Sequence, residues 1–209
     1  HQLSLDVLER CETFCRKVRE AVGNRADILF GTHGQMVPSS AIRLAKRLEK
    51  YDPLWFEEPV PPEDVAGYRA VKSALTIPIA GGECEFTRFG FRDLFASHAL
   101  DIAQPDTCAA GGLTECKKIA DMSEAFGIRY NPHVWGTGIA IAASLQLLAV
   151  LPSHTPNSLA PLHPLLEFDR TEHPIRQAIL KEPIEHENGV VRVPDGPGLG
   201  IEIDREALA

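Results

Sequence analysis

Several features that would mark other classes of protein are missing from this 209-residue sequence. It has no apolar run long enough to cross a bilayer and no pattern of a secretory signal, so we expect neither a membrane nor a secretory role. The net charge is −8 at pH 7. A nucleic-acid partner is therefore not expected, because phosphate binding requires a basic face. The five cysteines form no Cys-x-x-Cys pair, which predicts free thiols in a reducing cytoplasm.

Four chemically useful side chains each follow a short apolar run. They are Glu57, Glu83, Asp106 and His133, and they lie 26, 23 and 27 residues apart. A segment with helical periodicity follows each of them, so the pattern repeats a strand and a helix. In a parallel (β/α) barrel, the C-terminal ends of all strands open onto one mouth, where active sites lie. We therefore expect these four groups to meet at such a mouth.

The pattern predicts six strands of this type, ending near residues 30, 56, 82, 104, 131 and 167. Helices are predicted over 3–22, 38–48, 64–75, 89–96, 114–126 and 139–151. A closed barrel needs eight strands, so we expect the C-terminal part of a TIM-like barrel with its first strands missing, inactive as a fragment. Residues 1–173 form this part, and residues 174–209, with strands near 189–194 and 200–203, pack outside it. The alternative is an open doubly wound sheet, which the lack of a Gly-rich phosphate turn disfavours.

The four groups suit one kind of chemistry. Two carboxylates at adjacent strand ends are typical ligands for a hard divalent cation such as Mg²⁺. Such a cation can hold a substrate carboxylate and stabilise the enediolate that forms when the α-proton leaves. His133 is a candidate base, because an imidazole titrates near neutrality, and Asp106 could orient its ring. Taken singly, each group has an ordinary structural explanation, and only the joint spacing indicates a site.

The motifs Phe56-Glu57-Glu58-Pro59, Gly82-Glu83, Gln104-Pro105-Asp106 and Pro132-His133, together with residues 111–115, form a specific set. As a set they resemble the enolase superfamily, in particular the mandelate racemase branch with its acid-sugar dehydratases and cycloisomerases. Residues 132–138 are similar to the corresponding stretch of galactarolactone cycloisomerases. The resemblance implies a (β/α)7β barrel and a capping domain to which residues 174–209 return. It further implies Mg²⁺ or Mn²⁺ as cofactor, a sugar acid or its lactone as substrate, and a homo-oligomer at full length.

The resemblance also implies roles for individual residues. It assigns the metal to Glu57 and Glu83, and the base dyad to His133 and Asp106. It assigns protonation of the departing hydroxyl to His33 and contact with the substrate carboxylate or enediolate to Glu167. In addition, we expect Trp135, on a loop at the mouth, and Gln104 to bind substrate. The expected reaction is abstraction of the α-proton followed by β-elimination, either as dehydration or as cycloisomerisation of a lactone.

One position departs from the pattern of that family. The third metal ligand would be an aspartate 26 residues before Glu57, and position 31 is glycine. Either water or His33 then fills the place, and a nitrogen ligand would shift the preference from Mg²⁺ toward Mn²⁺ or Zn²⁺. Two alternatives remain open on sequence grounds. The protein is a racemase or epimerase of the same family, or Gly31 marks a non-catalytic relative without a full metal site.

Overall fold

The structure is a computed structural model that describes residues 2–152 and 163–208. Its helices are α1 (Leu5–Val22), α2 (Pro38–Leu48), α3 (Val65–Ala74), α4 (Thr87–Ala96), α5 (Gly112–Ala125) and α6 (Gly138–Ala149), with a short 3₁₀ turn at Glu49–Tyr51. The strands are β1 (Phe30–Gly31), β2 (Phe56–Glu57), β3 (Ile79–Gly81), β4 (Ile102–Ala103), β5 (Arg129–Tyr130), β6 (His186–Glu187) and β7 (Val190–Val191). Within this described part, no helix is long and apolar enough to cross a membrane.

The first five strands form one parallel sheet in the order β1-β2-β3-β4-β5, so each strand lies beside the next one in the chain. A helix follows every one of these strands. Parallel neighbours joined by crossover helices are the repeating unit of a (β/α) barrel, and they place all strand C-termini at one edge. The register pairs Gly31 with Glu57, and Glu57 with Ala80, along that edge.

The predicted sixth strand is wrong where the structure describes it. Residues 163–168 have no strand structure, and residues 159–162, which the prediction also covered, lie outside the described residues. The prediction came from a run of apolar residues, but an apolar run becomes a strand only when a neighbouring backbone pairs with it. The other five strands and all six helices are confirmed, with ends shifted by a few residues.

Local sequence explains several of these boundaries. Asp64 begins α3, and its carboxylate accepts a hydrogen bond from the Gly67 N–H at 2.8 Å. Thr137 caps α6 in the same way through Ile139. The inner face of α2 buries Ala41, Leu44, Ala45 and Leu48, as its helical periodicity predicts.

Helix α6 is apolar on all sides and is covered on two of them. Leu147 joins the main core beneath the sheet, while Ile141 and Leu145 pack against Leu180 and Ile184 of the C-terminal segment. A helix that is apolar on all sides is stable only when it is buried on more than one side. In that segment β6 and β7 form an antiparallel hairpin, which confirms a strand near residue 190. The strand predicted over 200–203 is wrong, because only a single bridge between Leu180 and Ile203 forms there. The domain boundary at 173/174 stays a prediction.

Candidate active site

The four predicted groups all lie at or just beyond the C-terminal edge of the parallel sheet. Glu57 is the last residue of β2, and Glu83 lies two residues after β3. Asp106 and His133 each lie three residues after their strands, β4 and β5. Since the strands are parallel neighbours, these groups are brought to one side of the molecule, as the spacing predicts.

His133 and Asp106 form a direct hydrogen bond, with 2.7 Å between Nδ1 and Oδ2. The other carboxylate oxygen of Asp106 accepts from the Cys108 N–H at 2.7 Å, which fixes the orientation of the carboxylate. Burial raises the pKa of Asp106, but the hydrogen bonds from His133 and Cys108 outweigh it and hold this pKa below its usual range. The dyad that the resemblance implies is therefore geometrically complete.

The pKa of His133 has opposing causes. Burial lowers it, but the hydrogen bond to Asp106 and the charges of Glu167 and Glu83 raise it, to about 9. This pKa favours the protonated ring at neutral pH. Its free Nε2 lies 3.8 Å from Glu83 Oε2, so this nitrogen faces the carboxylates at the mouth.

Glu57 is held by two donors on the same oxygen. Trp55 Nε1 donates to Oε2 at 3.1 Å, and Gln104 Nε2 donates to it at 2.5 Å. Gln104 therefore orients a carboxylate of the site, and its predicted contact with substrate stays a prediction. The second oxygen of Glu57 lies toward Gly31, because a Cβ built on that glycine would come 3.5 Å from Oε1. A side chain at position 31 would thus point at this carboxylate.

The loop after β1 is fixed on the backbone of the Glu-Glu-Pro segment. Thr32 Oγ1 and the Gly34 N–H both donate to the Glu58 carbonyl, at 2.8 and 2.9 Å. This contact places His33, whose φ is 47°, at the mouth. The ring is largely exposed, and Nδ1 lies 3.9 Å from Glu83 Oε1. Glu83 therefore lies between two histidines, His33 on one side and His133 on the other.

Glu58 is a residue of the site that the sequence reasoning missed. Alternation along a strand would turn its side chain away from that of Glu57. Instead β2 ends at Glu57, and Glu58 takes a φ of 42° that re-aims its side chain. Glu58 is 2% exposed, and burial together with the charges of Glu83 and Glu57 raises the pKa of its carboxyl to about 7. The doubled glutamate before Pro59 was the one available signal.

Three of these groups form a possible cation site. Single ligand atoms of His33, Glu58 and Glu83 lie within 4.8 Å of one another. Glu83 is one of the two predicted metal ligands, whereas the other, Glu57, lies outside this cluster, and its role stays a prediction. The donor set suits a divalent ion, and one oxygen of Glu58 has no hydrogen-bond partner among the residues that the structure describes.

Glu167 reaches the site without the strand that was predicted to carry it. Its Oε2 accepts from the Val134 N–H at 2.6 Å, next to His133. Burial raises the pKa of this carboxyl, with further contributions from the charges of Glu57 and Glu83. Trp135 is 60% exposed, and its ring meets His173 edge-on with 5.9 Å between centroids. Its predicted contact with substrate stays a prediction.

Comparison with known proteins agrees with this architecture. The family described as Enolase C-terminal domain-like matches residues 4–207. D-galactarolactone cycloisomerase from Agrobacterium fabrum is 46% identical over 191 residues, which is 91% of this chain and 50% of that protein. D-xylonate dehydratase from Haloferax volcanii is 38% identical over 191 residues, 91% of this chain and 44% of that protein.

A solved structure supports the fold as well. Mandelate racemase/muconate lactonizing enzyme from Sulfitobacter sp. superposes with a TM-score of 0.88 at 38% identity, covering 100% of this chain and 50% of that one. The predicted fold class, the C-terminal barrel part of such an enzyme, is thereby confirmed. The chain spans about half the length of the relatives that it matches. This chain belongs to the enolase C-terminal domain-like family, and the expected resemblance to the mandelate racemase branch of the enolase superfamily is confirmed.

Proposed function

We propose that this protein removes the α-proton of a sugar acid or sugar-acid lactone and then expels an oxygen from the β-carbon. The observation that carries the proposal is the His133–Asp106 hydrogen bond of 2.7 Å beside Glu83. The relatives point to the same chemistry, because one is a cycloisomerase of a lactone and another a dehydratase of a sugar acid. If the leaving oxygen is a hydroxyl, the product is a 2-keto-3-deoxy acid. If it is a lactone oxygen, the ring opens and the net reaction is an isomerisation.

His133 would act as the base through Nε2, while Asp106 holds Nδ1–H and so selects the tautomer. A base must be neutral before it accepts a proton. The pKa of about 9 keeps the ring protonated as long as no positive charge offsets the negative charges of the surrounding carboxylates. Compensation of the charges on Glu83 and Glu167 would lower this pKa toward neutrality. The dyad would therefore become a working base only when positive charge is present at the mouth.

The cofactor that fits this site is a divalent cation, Mg²⁺ or Mn²⁺. Members of the superfamily typically bind a divalent metal ion, and carboxylates at the ends of β2 and β3 offer the oxygen ligands that such ions prefer. We assign Glu57 and Glu83 as ligands. When bound, the cation would hold the substrate carboxylate and stabilise the negative charge of the enediolate.

Glu167 would contact the same part of the substrate beside His133, because its Oε2 accepts from the Val134 N–H. Burial raises the pKa of this carboxyl, so it holds a proton more readily than an exposed glutamate does. Trp135 and Gln104 would line the pocket around the sugar chain. Two groups could protonate the leaving oxygen: His33, which the resemblance favours, or His133 after it has taken the α-proton.

Return of the proton to the α-carbon would make the protein a racemase or epimerase instead. Elimination is the better supported of the two, because a second histidine, His33, stands at the mouth and the relatives named above are a dehydratase and a cycloisomerase. A non-catalytic relative is the rival from another class, and Gly31 motivates it. This rival requires that the protein bind no divalent cation at millimolar concentration.

Exchange of the substrate α-proton with solvent tests the proposal. The natural protein that carries this chain is incubated in D₂O with a panel of sugar acids and lactones, and loss of the α-proton signal is followed by NMR. We expect exchange or turnover with at least one compound, and we expect His133→Asn to abolish it. His98→Asn is the matched control, because His98 lies two residues after α4, at the face opposite the mouth, and has a φ of 55°, which asparagine tolerates. Exchange at the normal rate in His133→Asn would place the base elsewhere.

A further inference from the structure

The ligand set expected from the resemblance is incomplete in this chain, because Gly31 has no side chain to offer. Glu57 and Glu83 alone leave a divalent ion with two protein ligands. Position 31 faces the Glu57 carboxylate, so an aspartate there would have completed the set. The structure places other ligand atoms close to Glu83 instead, and they belong to His33, in the loop after β1, and to Glu58, directly after β2.

We infer that His33 and Glu58 complete the cation site of this protein, together with Glu83, in place of the carboxylate that position 31 lacks. This inference rests on the proposed function, since it names ligands for the cation of that same site. The three groups offer one nitrogen and carboxylate oxygens within 4.8 Å of one another, a span that a single ion can bridge.

Glu58 provides the independent observation. The residue is 2% exposed, and its Oε1 has no hydrogen-bond partner in the part of the chain that the structure describes. A buried carboxylate oxygen without a hydrogen-bond partner destabilises the fold, because nothing offsets the loss of its hydration. A carboxylate oxygen of Glu58 lies in the cluster with Glu83 and His33, where a cation would offset that cost. The positive φ of Glu58, which turns the side chain into the cluster, is held by two hydrogen bonds to its carbonyl from Thr32 and Gly34.

The same two hydrogen bonds position His33. Since the loop that carries His33 is fixed on the backbone of Glu58, one contact between the loop after β1 and the segment after β2 positions both ligands.

A histidine bound to the cation is a poor acid for the leaving group. His133, which receives the α-proton, would then return that proton to the β-oxygen, so that the hydrogen removed from carbon leaves as part of water or stays on the opened lactone. A nitrogen ligand also predicts tighter binding of Mn²⁺ than of Mg²⁺.

Mn²⁺ is the probe that tests this ligand set without turnover. Pulsed EPR of the natural protein loaded with Mn²⁺ should show coupling to a directly bound nitrogen, and ¹⁵N-labelled histidine should change it, with no substitution needed. The coupling should disappear in His33→Asn and persist in His133→Asn. A wild-type spectrum without nitrogen coupling would overturn the inference. So would coupling that disappears in His133→Asn and persists in His33→Asn.

Calorimetric titration with Mn²⁺ tests Glu58. We expect Glu58→Gln, which keeps the shape of the side chain, to weaken binding by about tenfold or more, since loss even of groups that only support ligands costs that much. Glu63→Gln is the matched control, because it removes the same charge from an exposed residue of the same loop and should change binding less than about twofold. Equal affinity of the two variants would overturn the inference.

The two proposals fail separately. Nitrogen coupling from His33 without α-proton exchange on any sugar acid or lactone would leave the ligand set intact and refute the proposed function. Exchange of the α-proton without nitrogen coupling would support the proposed function and refute the ligand set.

Discussion

Replacement of Asp106 by asparagine should lower the pKa of His133 and thereby show how the dyad works. Asparagine keeps the size of the side chain but removes the negative charge that lies 2.7 Å from Nδ1. An opposite charge at this distance changes a pKa by about 1 to 3 pH units. We therefore expect the pKa of His133 to fall from about 9 by that amount, toward or below its ordinary value, because burial then acts with less opposition.

The size of the effect on stability follows from the same pKa. A rise from 6.5 to about 9 corresponds to about 3 kcal/mol of preference for the protonated ring in the folded state. Because the folded pKa lies above the unfolded one, this stabilisation is fully present below pH 6.5 and is lost as the pH rises through 9. The free energy of unfolding of the cation-free protein should therefore decrease over this window, and Asp106→Asn should make the decrease smaller.

NMR titration of histidine ring signals measures the pKa directly, in the natural protein with divalent cations removed by a chelator. Asp101→Asn is the matched control: Asp101 precedes β4 at the opposite end of the same strand, where it pairs with Lys72 at 2.9 Å. The reasoning is refuted if the pKa of His133 stays near 9 in Asp106→Asn, or if Asp101→Asn lowers it equally.

Two further predictions concern β1 and α3. Gly31→Asp should tighten Mg²⁺ binding by about tenfold, because its Cβ would lie in ordinary contact with Glu57 and its carboxylate would add a hard ligand. Gly31→Asn, which lacks the charge, should not tighten it. Calorimetric titration of both variants tests this, and equal affinities would contradict it. Asp64→Ala should lower the free energy of unfolding by about 1 kcal/mol in chemical denaturation, because it removes the cap of α3, and Asp64→Asn should recover most of the loss. Loss of the same size in both Asp64 variants would show that the charge, and not the hydrogen bond, matters there.

The predictions that succeeded were those that depend on spacing along the chain. Strands and helices alternate with a period that is visible in the apolar pattern, and parallel pairing of neighbours then places Asp106 beside His133. For such features, local periodicity and the geometry of the barrel are sufficient. Gly31 was identified as a departure by counting back from Glu57 to the position where the resemblance implies an aspartate.

Other features could not be read in this way. Glu167 was expected at a strand end, yet it reaches His133 from a segment without strand structure, because its position depends on the Val134 N–H. The fit of α6 between the core and the C-terminal segment also depends on distant residues. Exposed mouth residues such as Trp135 have no local pattern that reveals what they contact.

The family, the order of the strands and the groups at their ends could be predicted from the chain alone, because apolar periodicity and motif spacing are properties of the chain. That Glu58 turns into the site and meets His33 and Glu83 became visible only in the folded structure. That meeting depends on a positive φ held by hydrogen bonds from the neighbouring loop. Backbone angles of this kind are set by contacts between segments distant in sequence, and so no pattern within one segment encodes them.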